Sequence, residues 1–230
     1  MNADLQLALA LADAADAITM HHFQSATLGV RTKSDRTPVS EADEAVERMI
    51  RDTLAKERPN DAIVGEEFGS AEGERRWIID PIDATKNYIR GIPVFGTLIA
   101  LEEQVGVVSA PALHRRWWAA RGEGAFCNGR SIRVSDIATI EEASLAFDDV
   151  GVPDATIAFF RRFPRARGFG DFWGHMLVAE GAVDVCYEPQ VALWDIAAVK
   201  VIVEEAGGRF SAPATSTNGV LHDAVLEALR

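Results

Sequence analysis

Two segments near the start of the chain carry the pattern of amphipathic helices. Leucine and alanine dominate Asp4–Phe23, with acidic residues opposite them, and a second apolar stripe follows Ser40 and continues to about Lys56. Spacings of three and four residues place apolar side chains on one helix face. Because serine is a residue type that caps helices, Ser40 marks the start of the second helix. A short strand is predicted between the two, at Val30–Lys33.

Short apolar runs separated by turn residues dominate the next part of the chain. Their lengths and their β-branched and aromatic content predict strands. The expected strands are Ala62–Val64, Arg76–Ile79, Gly96–Leu101, Val105–Pro111 and Arg116–Ala120. Glu102, Glu103 and Gln104 form a tight connection between two of them. We therefore expect an antiparallel sheet in this half of the molecule.

After Val134 the pattern changes to an alternation of strands and helices. The expected strands are Ser144–Phe147, Ala166–Phe169 and Val183–Tyr187, and the expected helices are Val152–Phe163, Gly170–Glu180 and Asp195–Ala206. Alternation of this kind favours a mixed or partly parallel sheet. The chain is thus predicted to be an α/β (α+β) protein with an N-terminal domain at 1–135 and a C-terminal domain at 136–230. No flexible linker separates the halves, so we expect the active site in their shared cleft.

Charge and composition exclude several classes of partner. The 230 residues include 35 acidic and 23 basic side chains, a formal net charge of -12, with 48% hydrophobic residues. Such a charge repels nucleic-acid backbones and anionic lipid. No apolar run reaches the roughly 20 residues of a membrane span. The two cysteines are isolated and expected to be reduced, and the five histidines lack helical ligand spacing. We expect a cytoplasmic enzyme without a nucleic-acid or membrane partner.

The most informative segment is Trp77–Tyr88, which contains Asp80-Pro81-Ile82-Asp83-Ala84-Thr85. An apolar run predicts a buried strand, and Pro81 disfavours helical backbone at the residue before it, so the strand is expected to end at Asp80. Asp83 then falls where a helix begins. The two carboxylates and the Ile82 carbonyl can converge on hard cations, while the N–H groups of Ala84 and Thr85 face an anion. Bound cations would also overcome the repulsion between this acidic chain and a phosphate.

Two distant acidic segments extend this pattern. Glu66 and Glu67 follow a short apolar strand, and Asp195 lies in the first turn of an apolar helix. Each has an ordinary alternative, since glutamates in loops are solvated and a first-turn aspartate complements the helix dipole. Asp43, three residues after Ser40, also fits a capping box. Spacing alone leaves these alternatives open.

Taken together, these motifs resemble the inositol monophosphatase family of metal-dependent phosphomonoesterases. The resemblance rests on Gly65-Glu66-Glu67, on Asp80–Thr85, and on Trp194-Asp195 followed by Ala197-Ala198. The segments Gly122–Gly129 and Val203–Gly208 are similar to the family's central hairpin and last long helix. Shorter strings are similar to the histidinol-phosphatase branch: Thr85-Lys86-Asn87, Ser109–Leu113, Gly170-Asp171-Phe172 and Glu188-Pro189-Gln190.

The resemblance implies a layered α-β-α-β-α sugar-phosphatase-like fold, a homodimer, and two or three Mg²⁺ or Mn²⁺ ions in each active site. The implied metal ligands are Glu66, Asp80, the Ile82 carbonyl, Asp83 and Asp195. The implied catalytic set is Asp43, Thr85 and Glu66, with the first two activating the attacking water. All-oxygen ligands suit these cations.

The expected substrate is a small phosphomonoester, with histidinol phosphate first and inositol 1-phosphate or a nucleotide 3'-phosphate as alternatives. The implied substrate-binding residues are Ala84, Thr85, Asp171 and Glu188, the last two facing the cationic half of histidinol phosphate; Asp171 alternatively caps a helix. Ala84 replaces the family's glycine. At negative φ this change costs little, whereas at positive φ it strains the backbone by about 1 kcal/mol. A metal-binding regulatory protein is the non-enzymatic alternative.

Overall fold

The described residues of the computed structural model, 2–34, 37–70, 73–148 and 151–229, form seven α-helices and fifteen strands. The helices are α1 (Ala3–His22), α2 (Glu41–Glu57), α3 (Thr85–Ile89), α4 (Asp154–Phe160), α5 (Asp171–Ala179), α6 (Leu193–Glu205) and α7 (His222–Ala228). The strands are β1 (Val30–Thr32), β2 (Pro38–Ser40), β3 (Ala62–Gly65), β4 (Gly69–Ser70), β5 (Arg76–Asp83), β6 (Gly96–Leu101), β7 (Val105–Ala110), β8 (Arg115–Ala120), β9 (Gly124–Cys127), β10 (Arg130–Ile132), β11 (Ser144–Phe147), β12 (Arg165–Arg167), β13 (Val185–Glu188), β14 (Arg209–Ser211) and β15 (Ala214–Thr217). No helix among the described residues is both long and apolar enough to cross a bilayer.

The first two helices form where the hydrophobic pattern predicts them, within one residue at each end. The Asn2 side chain accepts the Asp4 N–H at the start of α1, which satisfies one of the free donors there. Ser40 begins α2, and its backbone N–H donates to the carboxylate of Asp43. Both helices bury their apolar stripes against the same sheet.

That sheet has eight strands in the order β10-β9-β8-β7-β6-β5-β3-β4. It is antiparallel as predicted, except that β3 and β5 are parallel. The difference arises because the chain leaves β3, forms the short strand β4 on one side of it, and returns to start β5 on the other side in the original direction. A second sheet has the order β12-β11-β13-β15-β14. Strand β11 pairs in parallel with β12 and β13, whereas β15 pairs antiparallel with β13 and β14, which is the predicted mixture.

The helices and sheets stack in five layers, confirming the predicted α-β-α-β-α arrangement. Helices α1 and α2 cover the outer face of the large sheet. Helices α5 and α6 pack against its inner face and form the middle layer. On the far side of the second sheet, α4 and α7 pack over β11 and β13. The division into domains at residue 135 stays a prediction, although the large sheet ends at Ile132 and the second sheet begins at Ser144.

The predicted end of the strand at Asp80 is wrong. Strand β5 continues through Pro81 to Asp83, with a register shift between Asp80 and Asp83 against β6. A bulge accommodates proline because residues inside it leave the hydrogen-bonded ladder. The Thr97 hydroxyl donates to the Pro81 carbonyl at 2.8 Å and replaces a ladder bond there. Asp83 therefore ends a strand, and Ala84 is the N-cap residue of α3.

In the C-terminal half the element types are correct but several bounds differ. The third predicted strand begins two residues later than expected and ends one residue later, at Glu188. The predicted helix at Val152–Phe163 is shortened to Asp154–Phe160, with Pro153 at its N-cap position. The hairpin of β14 and β15 and the helix α7 were not among the predicted elements. Short terminal elements of this kind carry too few residues for a periodic signal.

Candidate active site

The bulge in β5 brings Asp80 and Asp83 to one place, and the first turn of α6 adds Asp195. Oxygen atoms of these three carboxylates all lie within 4.8 Å of one another. Asp80 and Asp83 are buried, at 2% and 8% exposure. The Ala192 N–H donates to Asp195 at 2.6 Å, so this aspartate both caps its helix and faces the cluster. The two sequence interpretations of Asp195 are therefore compatible.

The raised pKa values of this cluster show that its carboxylates lack a neutralising positive charge. Burial, followed by repulsion from Glu66 and Asp83, raises the pKa of Asp80 well above its usual range. Burial also raises the pKa of Asp83, with Asp171 as the next cause, and raises that of Asp195 to about 6. Among the described residues, Asp80 Oδ1 is buried without a hydrogen-bond partner. An orphaned carboxylate oxygen among repelling acids fits a divalent cation, whose charge would remove the repulsion.

Asp43 and Thr85 lie beside this cluster. The Oδ2 atom of Asp43 accepts both the backbone N–H and the hydroxyl of Ser40, while its Oδ1 lies 3.4 Å from the Thr85 hydroxyl. The Thr85 hydroxyl also lies 2.9 Å from the Ile82 carbonyl. Burial raises the pKa of Asp43 to about 6, against the opposing effect of Ser40. One oxygen therefore serves the helix cap, and the other is directed toward Thr85.

Glu66 lies outside the close group of three aspartates and is paired with a cation. Lys33 Nζ lies 2.7 Å from Glu66 Oε1 and 2.6 Å from Glu67 Oε1. Burial lowers the pKa of Lys33, but its two carboxylate partners outweigh this effect and raise it overall. Burial raises the pKa of Glu67 to about 7, with Lys33 acting in the opposite direction. The ammonium of Lys33 thus supplies positive charge at the edge of the acidic site.

Glu47 supports this edge and was not among the residues predicted from the sequence. Its side chain is fully buried in α2 and accepts the N–H groups of Glu67 at 2.7 Å and Phe68 at 3.2 Å. Arg51 donates to the same carboxylate at 2.7 Å. Gly65 permits this approach, because a Cβ there would lie 2.0 Å from Glu47 Oε1. The sequence did contain a signal for this role, because Glu47 is an acidic residue within the apolar stripe of α2.

Ala84 adopts the left-handed conformation, with φ 64° and ψ 44°. The strained alternative considered from the sequence is therefore the observed one. Ala84 and Thr85 line a cavity of about 220 Å³, together with Glu66, Lys86 and Asp171. The cavity joins the backbone corner after β5 to the start of α5, and its size suits a small anion and part of an organic group.

Asp171 lines the same cavity as this corner, and Glu188 lies buried close to Asp171. Asp171 is the first residue of α5, has φ 56°, and follows Gly170 at the N-cap position. Burial, then repulsion from Glu188, raises the pKa of Asp171 to about 7. The N–H of Phe172 donates to Asp83 at 2.7 Å, which fixes the start of α5 against the three aspartates. Of the two predicted substrate residues, Asp171 lines the cavity, whereas Glu188 is buried beside Asp171.

The sequence was compared with known proteins. The model of the inositol monophosphatase family matches residues 2–229. A histidinol-phosphatase of Streptomyces coelicolor is 50% identical, over 97% of this chain and 95% of that protein. A histidinol-phosphatase of Mycobacterium tuberculosis is 48% identical, over 98% of this chain and 97% of that protein.

Solved structures give the same result for the fold. The extragenic suppressor protein suhB of Bartonella henselae has a TM-score of 0.91 at 28% identity, covering 100% of this chain and 99% of that one. An inositol monophosphatase of Thermotoga maritima has a TM-score of 0.86 at 33% identity, covering 98% and 96%. With the family match extending over nearly every residue, the chain belongs to the inositol monophosphatase family.

Proposed function

We propose that this protein is a histidinol-phosphatase that uses Mg²⁺, or Mn²⁺ in its place, to hydrolyse histidinol phosphate to histidinol and phosphate. The observation that carries the proposal is the buried cluster of Asp80, Asp83 and Asp195 beside the cavity at Ala84 and Thr85. The names of the relatives at 50% and 48% identity support this choice of substrate.

In the proposed site, the cations are held by the side chains of Glu66, Asp80, Asp83 and Asp195 and by the Ile82 carbonyl. When bound, two or three such ions would supply Lewis-acid stabilisation of the phosphoryl and leaving oxygens and make a water more acidic. Glu66 would exchange its contact with Lys33 for this role. The N–H groups of Ala84 and Thr85 hold the phosphate at the start of α3.

Water activation is assigned to Asp43 and Thr85. The Thr85 hydroxyl orients the attacking water and passes a proton toward Asp43 Oδ1, 3.4 Å away. With its pKa raised to about 6 by burial, Asp43 is a stronger base than an exposed aspartate. In this scheme the water displaces the histidinol oxygen from phosphorus in line, and the protein's role is positioning and charge stabilisation.

Asp171 and Glu188 are assigned to the organic half of the substrate. Histidinol phosphate carries an ammonium and an imidazole, and two neighbouring carboxylates, one lining the cavity at the phosphate corner and one buried beside it, suit them. A second candidate substrate is inositol 1-phosphate, favoured by a Thermotoga maritima relative at 36% identity named fructose-1,6-bisphosphatase/inositol-1-monophosphatase. A homodimer and a cytoplasmic location stay predictions.

The test is phosphate release from a panel of histidinol phosphate, inositol 1-phosphate and adenosine 3'-phosphate, with Mg²⁺, with Mn²⁺ and with excess chelator. The proposal expects the highest kcat/KM on histidinol phosphate and none of that activity in chelator. A preference for inositol 1-phosphate would retain only the phosphatase assignment. Absence of turnover on every ester would support a regulatory protein instead.

A further inference from the structure

Behind Glu188 lies a buried group of polar side chains that the proposed mechanism does not use. Cys186 and Glu188 are two residues apart in β13 and therefore point to the same face of the sheet. Ser216 of β15 is the cross-strand partner of Cys186 and shares that face. His175 of α5 lies over these three side chains, with donor atoms of His175, Cys186 and Glu188 within 4.8 Å of one another.

Two contacts join His175 to this face. Its Nδ1 lies 2.7 Å from the Ser216 hydroxyl, and its Nε2 lies 3.5 Å from Glu188 Oε2. The side chains of His175 and Glu188 are only 2% and 8% exposed. In the described part of the chain, neither His175 Nε2 nor Glu188 Oε1 has a hydrogen-bond partner. The imidazole is thus hydrogen-bonded to the Ser216 hydroxyl at Nδ1, while its Nε2 faces the Glu188 carboxylate at 3.5 Å without a hydrogen bond.

The chemistry of the two ends determines where the imidazole carries its proton. An ionised carboxylate only accepts, so a favourable contact with Glu188 requires an N–H at Nε2. The Ser216 hydroxyl can donate or accept, so its contact with Nδ1 is compatible with an N–H at Nε2. Gly174, which has no side chain, lets α5 approach the sheet, because a Cβ there would lie 2.6 Å from Cys186 Sγ. His175 is therefore held in place from two sides.

Glu188 needs such support because its other charged neighbours repel it. Its charge is among the causes that raise the pKa values of Asp83, Asp171 and Asp195. Burial, with Glu188 as the next cause, raises the pKa of the Cys186 thiol well above its usual range, so the thiol stays protonated. Unlike these acids and the thiol, His175 places a ring nitrogen opposite the Glu188 carboxylate. Glu188 Oε1, on the other side of the carboxylate, is buried and has no hydrogen-bond partner among the described residues.

We propose that His175, fixed by Ser216, is a positioning residue that holds Glu188 Oε1 toward the ammonium group of the substrate. This inference rests on the proposed function, since it specifies how the site selects an amine-bearing phosphomonoester. Its action is through Glu188, and His175 itself does not touch the substrate.

The test compares histidinol phosphate with the same ester lacking its amino group, in the Mg²⁺-loaded enzyme. His175→Leu removes the N–H, whereas His175→Gln keeps an amide N–H near the position of Nε2. We expect the ratio of the two kcat/KM values to fall by about 10- to 100-fold in His175→Leu, mainly through KM for histidinol phosphate, and to recover in part in His175→Gln. Ser216→Ala, which removes the contact at Nδ1, should give a smaller fall of the same kind.

A double-mutant cycle with Glu188→Gln separates positioning from a packing effect. If His175 acts through Glu188, adding His175→Leu to Glu188→Gln should change the ratio less than 2-fold. Equal losses on both esters, or independent effects in the cycle, would overturn the role of His175 while leaving the histidinol-phosphatase assignment intact.

Zn²⁺ retained stoichiometrically by the wild type and lost in Cys186→Ser would also overturn the role of His175, because Nε2 would then be a metal ligand. A wild type inactive on histidinol phosphate but active on another ester would overturn the proposed function and this inference with it.

Discussion

At the scale of single residues, the structure answers two questions that the residue types leave open: the backbone conformation of Ala84 and the contacts of Asp43. Ala84 has a positive φ, which is a property of the folded corner and is not encoded in its neighbours' hydrophobicity. Asp43 uses one oxygen for Ser40 and the other toward Thr85, so cap and catalytic group are not exclusive interpretations. Both positions permit direct tests by substitution.

Replacing Ala84 by glycine should stabilise the protein. A left-handed alanine is strained by about 1 kcal/mol relative to glycine, so Ala84→Gly should raise the free energy of unfolding by about that amount. Urea denaturation measures the change. The matched control is Ala10→Gly on the exposed side of α1, where glycine should destabilise by about 1 kcal/mol. If Ala84→Gly and Ala10→Gly lowered the free energy of unfolding by the same amount, Ala84 would not be strained.

Asp43→Asn and Thr85→Ala should lower kcat more than they raise KM, because both groups act on the water. Losses of about 10²- to 10⁴-fold are expected for general-base catalysis. Steady-state kinetics on the best substrate of the panel gives both constants. Ser40→Ala removes a contact of the capping oxygen only and should cost about 1 kcal/mol of stability with a smaller fall in kcat. A near-normal kcat for Asp43→Asn with a lowered Tm would leave Asp43 as a cap alone.

At the scale of elements, the sequence predicts helices and strands that have a periodic apolar pattern. It does not predict the bulge, the strand order or the side-chain supports, which depend on residues far along the chain. The two long N-terminal helices and the central strands agree closely, since their apolar faces are continuous. The bulge at Pro81 was missed because a proline inside a strand is tolerated only when the partner strand allows a register shift. The parallel pairing of β3 and β5 was missed because strand order is set by packing and not by the strands' own residues. The supports from Glu47 and His175 were missed for the same reason, since their partners lie far along the chain.

The contact between α2 and the turn after β3 gives a test at this scale. Glu47→Gln replaces one acceptor oxygen by an amide group that faces an N–H donor, so we expect a loss of about 1–3 kcal/mol in stability. Because Glu66 belongs to the same turn, the Mg²⁺ concentration for half-maximal activity should also rise. Glu57→Gln, at the exposed end of α2, is the matched control and should change neither quantity. An unchanged metal requirement in a destabilised Glu47→Gln would limit Glu47 to a role in folding.

At the scale of the whole molecule, the layered fold concentrates acidic side chains where both sheets and the middle helices meet. The family assignment made from the motifs is confirmed by the match over residues 2–229, and the fold by the structural relatives. The motifs could locate the acids because each lies at the end of a strand or the start of a helix. How far burial changes their charge could not be inferred from sequence, since it depends on which elements cover them. Because burial opposes ionisation, metal binding at the proposed site would be linked to folding.

This linkage predicts an unusual pH dependence for the metal-free protein. Burial raises the folded-state pKa of Asp43 and Asp195 from 3.8 to about 6 and that of Asp171 to about 7. Between about pH 4 and 7 the folded state therefore holds more protons than the unfolded state, and stability falls as pH rises. In chelator, Tm should be higher at pH 5.5 than at pH 7.5, whereas Mg²⁺ should raise Tm most at pH 7.5, where the carboxylates are ionised.

Asp195→Asn tests whether the aspartate cluster is the cause. Removing one of the repelling carboxylates should raise the Tm of the chelated protein at pH 7.5, flatten its pH dependence, and abolish both activity and stabilisation by Mg²⁺. Asp52→Asn, on the exposed face of α2, removes the same charge from the surface and should leave all four properties near wild type. Scanning fluorimetry across pH, with and without Mg²⁺, measures them together. If Asp195→Asn kept both the activity of the wild type and its stabilisation by Mg²⁺, the metal site proposed at Asp80, Asp83 and Asp195 would have to be abandoned.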